Sequence, residues 1–199
     1  VRGGLRFHLP EVLSVSPGAC TMSKKILIIS SSPRKGGNSD LLCDEFMKGA
    51  RGAGHDVEKV RLAEKRIGYC RGCGVCHDTH ACLQKDDMEE LLDKLLEADV
   101  IVLATPVYFY TLCGQMKTFI DRTVPRYLDI RDKEFYFILA AAEDNRANME
   151  RTVECFRGFL DCLEGAVEKG VVYGTGAWKM GGIKGNPAMK QARIMGIGV

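Results

Sequence analysis

No apolar stretch of this 199-residue chain approaches the ~20 residues that a helix needs to cross a bilayer, and runs such as residues 100–104 are strand-sized. No membrane is therefore expected. An excess of one charge is missing too. Lys plus Arg number 28 against 26 Asp plus Glu, a formal charge of +2, so the chain lacks the electrostatic footprint for gripping a phosphate backbone. Nucleic acid is not an expected partner. Residues 1–21 hold polar residues and prolines but no continuous apolar region, so the anatomy of a secretory signal is absent. Nine cysteines, an odd number, fit poorly with a fully paired disulfide framework. A reducing cytoplasm is the expected compartment.

The 46% hydrophobic and 27% charged residues are the balance of one globular domain with a single sizeable core. Residues 1–21 read as a disordered or artefactual tail, and the fold is expected to occupy residues 22–199. From residue 24 onward, short apolar runs alternate with amphipathic segments. Residues 25–29 form a near-continuous aliphatic run, as expected of a parallel strand covered on both faces. A helix follows over residues 39–50, with Asn38 or Ser39 as N-cap and Gly52 and Gly54 ending it. Val57, Val60 and Leu62 mark a second strand. Residues 86–96 read as a helix with Asp86 and Glu89 in capping-box positions, and residues 100–105 as a third buried strand.

Leu112, Met116, Phe119 and Ile120 then suggest a helix, residues 135–141 a strand, and Met149, Val153, Phe156, Leu160 and Leu163 another helix. Residues 171–173 give a fifth strand, and Asn186-Pro187 opens a last helix as N-cap and first-turn proline. Five strands alternating with helices specify a doubly wound α/β sandwich without a second domain. In such a sheet ligands sit beyond the carboxyl ends of the strands, which selects the loops to read for chemistry.

The loop after the first strand is Ser30-Ser31-Ser32-Pro33-Arg34-Lys35-Gly36-Gly37-Asn38-Ser39. Hydroxyls, an amide and glycines beside unpaired helix N–H groups form a site for a phosphate dianion. The glycine spacing matches neither the dinucleotide fingerprint nor a Walker loop, which disfavours a nucleotide triphosphatase. A plain polar turn capped by Asn38 is the alternative. The loop after the third strand, Thr105-Pro106-Val107-Tyr108-Phe109-Tyr110, offers apolar faces and backbone polar groups for a flat ring, or else a core or subunit contact.

Ser31-Ser32-Pro33-Arg34 with Gly37-Asn38-Ser39, and Thr105-Pro106-Val107-Tyr108 with the downstream Gly114-Gln115-x-Lys117-x-Phe119-x-Asp121-Arg122, resemble the two flavin-contacting segments of the NAD(P)H-dependent FMN reductase family. The resemblance covers residues 24–195. It implies a flavodoxin-like three-layer sandwich with a five-stranded parallel sheet of order 2-1-3-4-5. It also implies that Ser30, Ser32, Arg34, Asn38 and Ser39 contact the FMN phosphate, while Pro106, Val107, Tyr108 and Phe109 border the isoalloxazine. Two departures stand out: Ser31 occupies the place of a usual glycine, and Phe109 that of a frequent tryptophan. The loop at residues 142–145 is expected to close the other side of the ring. Asp121 and Arg122 read as a helix-surface ion pair or a subunit contact.

Cys70, Cys73, Cys76 and Cys82 crowd into one loop, whereas Cys20, Cys43, Cys113, Cys155 and Cys162 are scattered and read as core residues or incidental thiols. Gaps of two, two and five residues, with Gly68, Gly72 and Gly74 to let the backbone curl, suit a [4Fe–4S] cube held by four thiolates. Zinc and metal-free thiols remain as alternatives. His77 and His80 are expected to face solvent. The spacing is similar to the compact motif of the iron–sulfur flavoproteins, a branch of the same family.

The expected function is that of an FMN-dependent oxidoreductase needing no catalytic acid or base. NAD(P)H reduces FMN, and electrons pass directly, or through a [4Fe–4S] cluster, to an acceptor. The rival is a non-enzymatic electron carrier or redox sensor. A homodimer or homotetramer is expected from the apolar run Tyr108-Phe109-Tyr110.

Overall fold

The computed structural model describes residues 22–199; the expected tail at residues 1–21, with Cys20, lies outside them. Five parallel strands form the sheet: β1 (Lys25–Ser30), β2 (Asp56–Arg61), β3 (Val100–Tyr108), β5 (Glu134–Ala140) and β6 (Val167–Gly174). Their order is β2-β1-β3-β5-β6, and a two-residue strand, β4 (Thr111–Leu112), pairs antiparallel with the end of β3. Counting only the parallel strands, this is the expected flavodoxin-like order 2-1-3-4-5.

The aliphatic runs are continuous because alternate residues enter different cores. Leu27, Ile29, Ile101, Leu103, Phe135 and Phe137 face α3 (Met88–Glu97), α4 (Gly114–Asp121) and α5 (Glu150–Leu160). Ile26, Ile28, Val100, Val102, Tyr136 and Ile138 face α1 (Asn38–Gly52) and α6 (Pro187–Ile197). The result is a three-layer sandwich.

Several boundaries differ from the sequence reading. Helix α1 begins at Asn38 behind an N-cap Gly37 that has no side chain to offer, and Asn38, one residue too late to cap, spends its amide on a distant loop. Leu112 sits in β4 rather than in α4, and Met149 in a 3-10 turn ahead of α5. Asp86 precedes α3 by two residues and accepts the Met88 N–H at 3.2 Å, but no capping box forms: Asp87 stands at the N-cap and makes no capping bond, because its carboxylate accepts the Arg66 N–H at 2.7 Å instead. Asn186 does cap α6, accepting the Ala188 N–H at 2.9 Å, with Pro187 in the first turn.

Helices α1 and α6 meet backbone to backbone. A Cβ added at Gly196 would collide with the Phe46 carbonyl oxygen, and one at Gly49 with that of Arg193. Backbone cannot rotate aside as a side chain can. Gly196→Ala is therefore expected to destabilise by about 1–3 kcal/mol, the usual range for overpacking, and to lower the melting temperature several degrees. An unchanged melt would show that the two helices can separate without loss.

Candidate functional site

The first loop leaves the sheet at Ser30 and enters α1 within eight residues. A buried carboxylate organises it. Asp40, 2% exposed, accepts the Ser30 hydroxyl at 2.9 Å, the Gly36 N–H at 3.0 Å and Lys59 Nζ at 3.0 Å, with Arg61 Nε at 3.6 Å. Burial pushes the Asp40 carboxyl up, but the Gly36 N–H, Lys59 and Ser30 outweigh it and hold the group below its ordinary value. Asp40 is a site residue that sequence reading missed. The signal was an acidic residue in a helix first turn opposite two basic residues on β2.

Each expected phosphate contact has a definite place. The Ser30 hydroxyl is committed to Asp40, so it shapes the loop from beneath. Ser31 donates to the Ala104 carbonyl at 2.7 Å and receives the Cys113 thiol at 3.1 Å, which explains its side chain: the hydroxyl bridges the ends of β1 and β3. Ser32 Oγ bonds the Arg34 backbone, and the Arg34 side chain is exposed. Asn38 Nδ2 donates to Ala177 O at 2.7 Å and Lys179 O at 3.0 Å, tying residues 177–183 over the start of α1. Ser39 differs from all of these. Its hydroxyl is buried, the residue being 1% exposed, and has no hydrogen-bond partner.

A buried hydroxyl without a partner costs about 1–3 kcal/mol, and Ser39 Oγ carries that cost in the first turn of α1. It stands at the uncapped N-terminus of a 15-residue helix, where the dipole and free N–H groups favour an anion. Loop, helix end and hydroxyl together fit a phosphate.

The second loop begins at the end of β3. Pro106 and Val107 are half-buried, while Tyr108, Phe109 and Tyr110 are exposed, Phe109 to 99%. Phe109 and Tyr110 form the two-residue turn between β3 and β4, with φ of 49° and 63°. Both are left-handed, as a tight hairpin of this twist requires and as bulky residues rarely adopt. Strain of this kind is kept where a side chain is needed for something else. Phe109→Asn with Tyr110→Gly is therefore expected to raise stability by about 1–2 kcal/mol per position and the melting temperature with it. A lower melt would mean that the rings stabilise the fold. The loop at residues 142–145 lies at the same end of the sheet, beyond β5, with Asn145 accepting the Ala147 N–H at 3.0 Å.

The third loop carries the clustered cysteines after β2. Gly72 (φ 62°) and Gly74 (φ 76°) take left-handed turns, and Gly74 opens the short helix α2 (Val75–Thr79). Cys70, Cys73, Cys76 and Cys82 all border one cavity of about 300 Å³. Burial pushes the Cys76 thiol up, and the other three cysteines add to the rise. Among the described residues, no three His, Cys, Asp or Glu side chains gather on a single metal ion. His77 and His80 are exposed, as expected. Of the scattered thiols, Cys43 and Cys113 are buried, whereas Cys155 and Cys162 are exposed.

Arg122 departs from expectation. It is 2% exposed and pairs with Asp86 in two parallel bonds of 2.7 and 2.9 Å. A surface reading failed because the partner lies 36 residues away in sequence. Asp121 does form a helix-surface pair, with Lys117.

Comparison with known proteins agrees with this architecture. The chain is 46% identical over 101 residues to an iron-sulfur flavoprotein of Archaeoglobus fulgidus, a match covering 51% of this chain and 46% of that one, so it spans about half of that relative's length. It is 34% identical over 138 residues to the iron-sulfur flavoprotein MJ1083 of Methanocaldococcus jannaschii, covering 68% and 71% of the two chains. The solved structure of the NAD(P)H:quinone oxidoreductase from Methanothermobacter marburgensis shares the fold, with a TM-score of 0.68, 17% identity and coverage of 88% and 96%. Residues 24–179 match the family model described as NADPH-dependent FMN reductase, an extent that includes all three loops, and the chain belongs to that family.

Proposed function

We propose that the chain is an FMN-dependent NAD(P)H oxidoreductase whose first loop holds the flavin phosphate. The observation that carries this reading is the buried, unpartnered Ser39 hydroxyl at the uncapped start of α1. Ser39, Ser32 and Arg34 would contact the phosphate, with Ser30 and Asn38 fixing the loop around them. Pro106, Val107, Tyr108 and Phe109 would border the ring, and residues 142–145 its other side. When bound, FMN supplies the redox chemistry, taking a hydride from the nicotinamide and releasing electrons to an acceptor. The protein binds and orients. No side chain is required to move a proton.

Cys70, Cys73, Cys76 and Cys82 would hold a [4Fe–4S] cluster, which supplies one-electron transfer. The four cysteines border one cavity, and their gaps of two, two and five residues suit a cube that takes one thiolate on each iron. The names of the archaeal relatives point the same way. We place the folded domain at residues 22–199, in the cytoplasm, where the free thiols of the described residues stay reduced. We assign it a homodimeric or homotetrameric state that covers the exposed aromatics at residues 108–110.

The test is titration of flavin-free protein with FMN and, separately, with riboflavin, followed by quenching of flavin fluorescence. FMN should bind far more tightly than riboflavin, which lacks the phosphate. Equal affinities would refute the phosphate loop.

A further inference from the structure

Arg122 heads the largest fully buried side chains of the described residues, and it is the one that carries a charge. It stands at the end of α4, and its guanidinium reaches both ends of the cysteine loop. Nη1 donates to the Gly68 carbonyl at 2.6 Å and to Asp86 Oδ2 at 2.7 Å, and Nη2 to Asp86 Oδ1 at 2.9 Å. Asp86 Oδ2 in turn accepts the Gly68 N–H at 2.9 Å. Gly68 and Asp86 bracket the whole run from Cys70 to Cys82, so one planar cation closes the neck of that loop.

The third nitrogen is left over. Nε is buried and has no hydrogen-bond partner. Arg122 also borders the cavity that the four cysteines share. A buried N–H next to a cavity lined with sulfur lacks only an acceptor, and thiolate or sulfide sulfur is one.

We propose that Arg122 is a positioning residue for a sulfur-ligated centre in this loop, fixing the loop's neck through Gly68 and Asp86 and presenting its charge and free Nε–H to the sulfur atoms. The proposal rests on the reading of the four cysteines as cluster ligands. Charge and hydrogen bonds to sulfur set the reduction potential of such centres. A cation favours the form carrying one more electron, and Asp86 partly offsets it. The two residues should therefore act on the potential with opposite signs, which a purely mechanical clamp would not produce.

The experiment compares wild type, Arg122→Lys, Arg122→Met and Asp86→Asn, each purified without oxygen with FMN bound. Iron, acid-labile sulfide and FMN are assayed first, and the midpoint potential of the cluster is then followed by electron paramagnetic resonance. Arg122→Met should lower the one-electron reduction equilibrium at least tenfold, a shift of about 59 mV. Asp86→Asn should shift it upward, and Arg122→Lys should fall between wild type and Arg122→Met. Loaded Arg122→Met and Asp86→Asn proteins with wild-type potentials would overturn the role of Arg122 and leave the cluster reading standing. If Arg122→Met does not fold, Asp86→Asn decides: an unchanged or lowered potential overturns the proposal. Wild type without iron and sulfide would overturn the cluster reading, and this proposal with it.

Discussion

Gly37→Ala should weaken FMN binding by about a hundredfold or more while the sheet and its helices remain intact. The backbone at Gly37 has φ of −65° and ψ of 166°, which any residue adopts, so the effect does not come from strain. It comes from space. An added Cβ would collide with Ser32 Oγ and approach the Arg34 carbonyl to 3.0 Å, pushing open the turn that faces the start of α1. Each charge-assisted bond to the phosphate is worth ~1.5–3 kcal/mol, so losing two gives ~3–6 kcal/mol, at about 1.4 kcal/mol per tenfold. Fluorescence titration of the flavin-free variant reads this directly. Wild-type affinity would mean that the loop does not hold the phosphate.

Cys76→Ser is expected to abolish iron and acid-labile sulfide while leaving FMN stoichiometry unchanged. Cys76 lies on α2, half-buried among the other three cysteines, and the cavity it borders shares no residue with the first loop. A cube that loses one of four thiolates loses its closed ligand set. Cys155→Ser and Cys162→Ser serve as controls, since both thiols are exposed and neither borders that cavity. Iron retained in Cys76→Ser, or lost equally in the controls, would remove the four-cysteine assignment.

The central strands β1, β3 and β5 were readable because they are buried on both faces and therefore written as unbroken apolar runs, such as Ile26 to Ile29, whereas the half-exposed edge strands β2 and β6 carry charged residues. The strand-end loops followed from the α/β alternation. What could not be read depended on partners distant in sequence. Asn38 looks like an N-cap until residues 177–183 take its amide, and Arg122 looks like a surface residue until Asp86 meets it. Strand β4 has two residues, too few for any periodicity, and exists because the β3 hairpin turns at Phe109 and Tyr110. The buried Asp40, in the first turn of α1, was hidden in the same way, since Lys59 and Arg61 reach it from β2.

Electron transfer from a nicotinamide nucleotide to bound FMN is the reaction expected of this protein. Its most direct test is to mix FMN-loaded protein with NADPH, and separately with NADH, in a sealed anaerobic cuvette and follow the flavin's visible absorption. The oxidised flavin band is expected to bleach with at least one of the two and to return when air is admitted. A flavin that remains oxidised with both nucleotides, yet bleaches with dithionite, would contradict it.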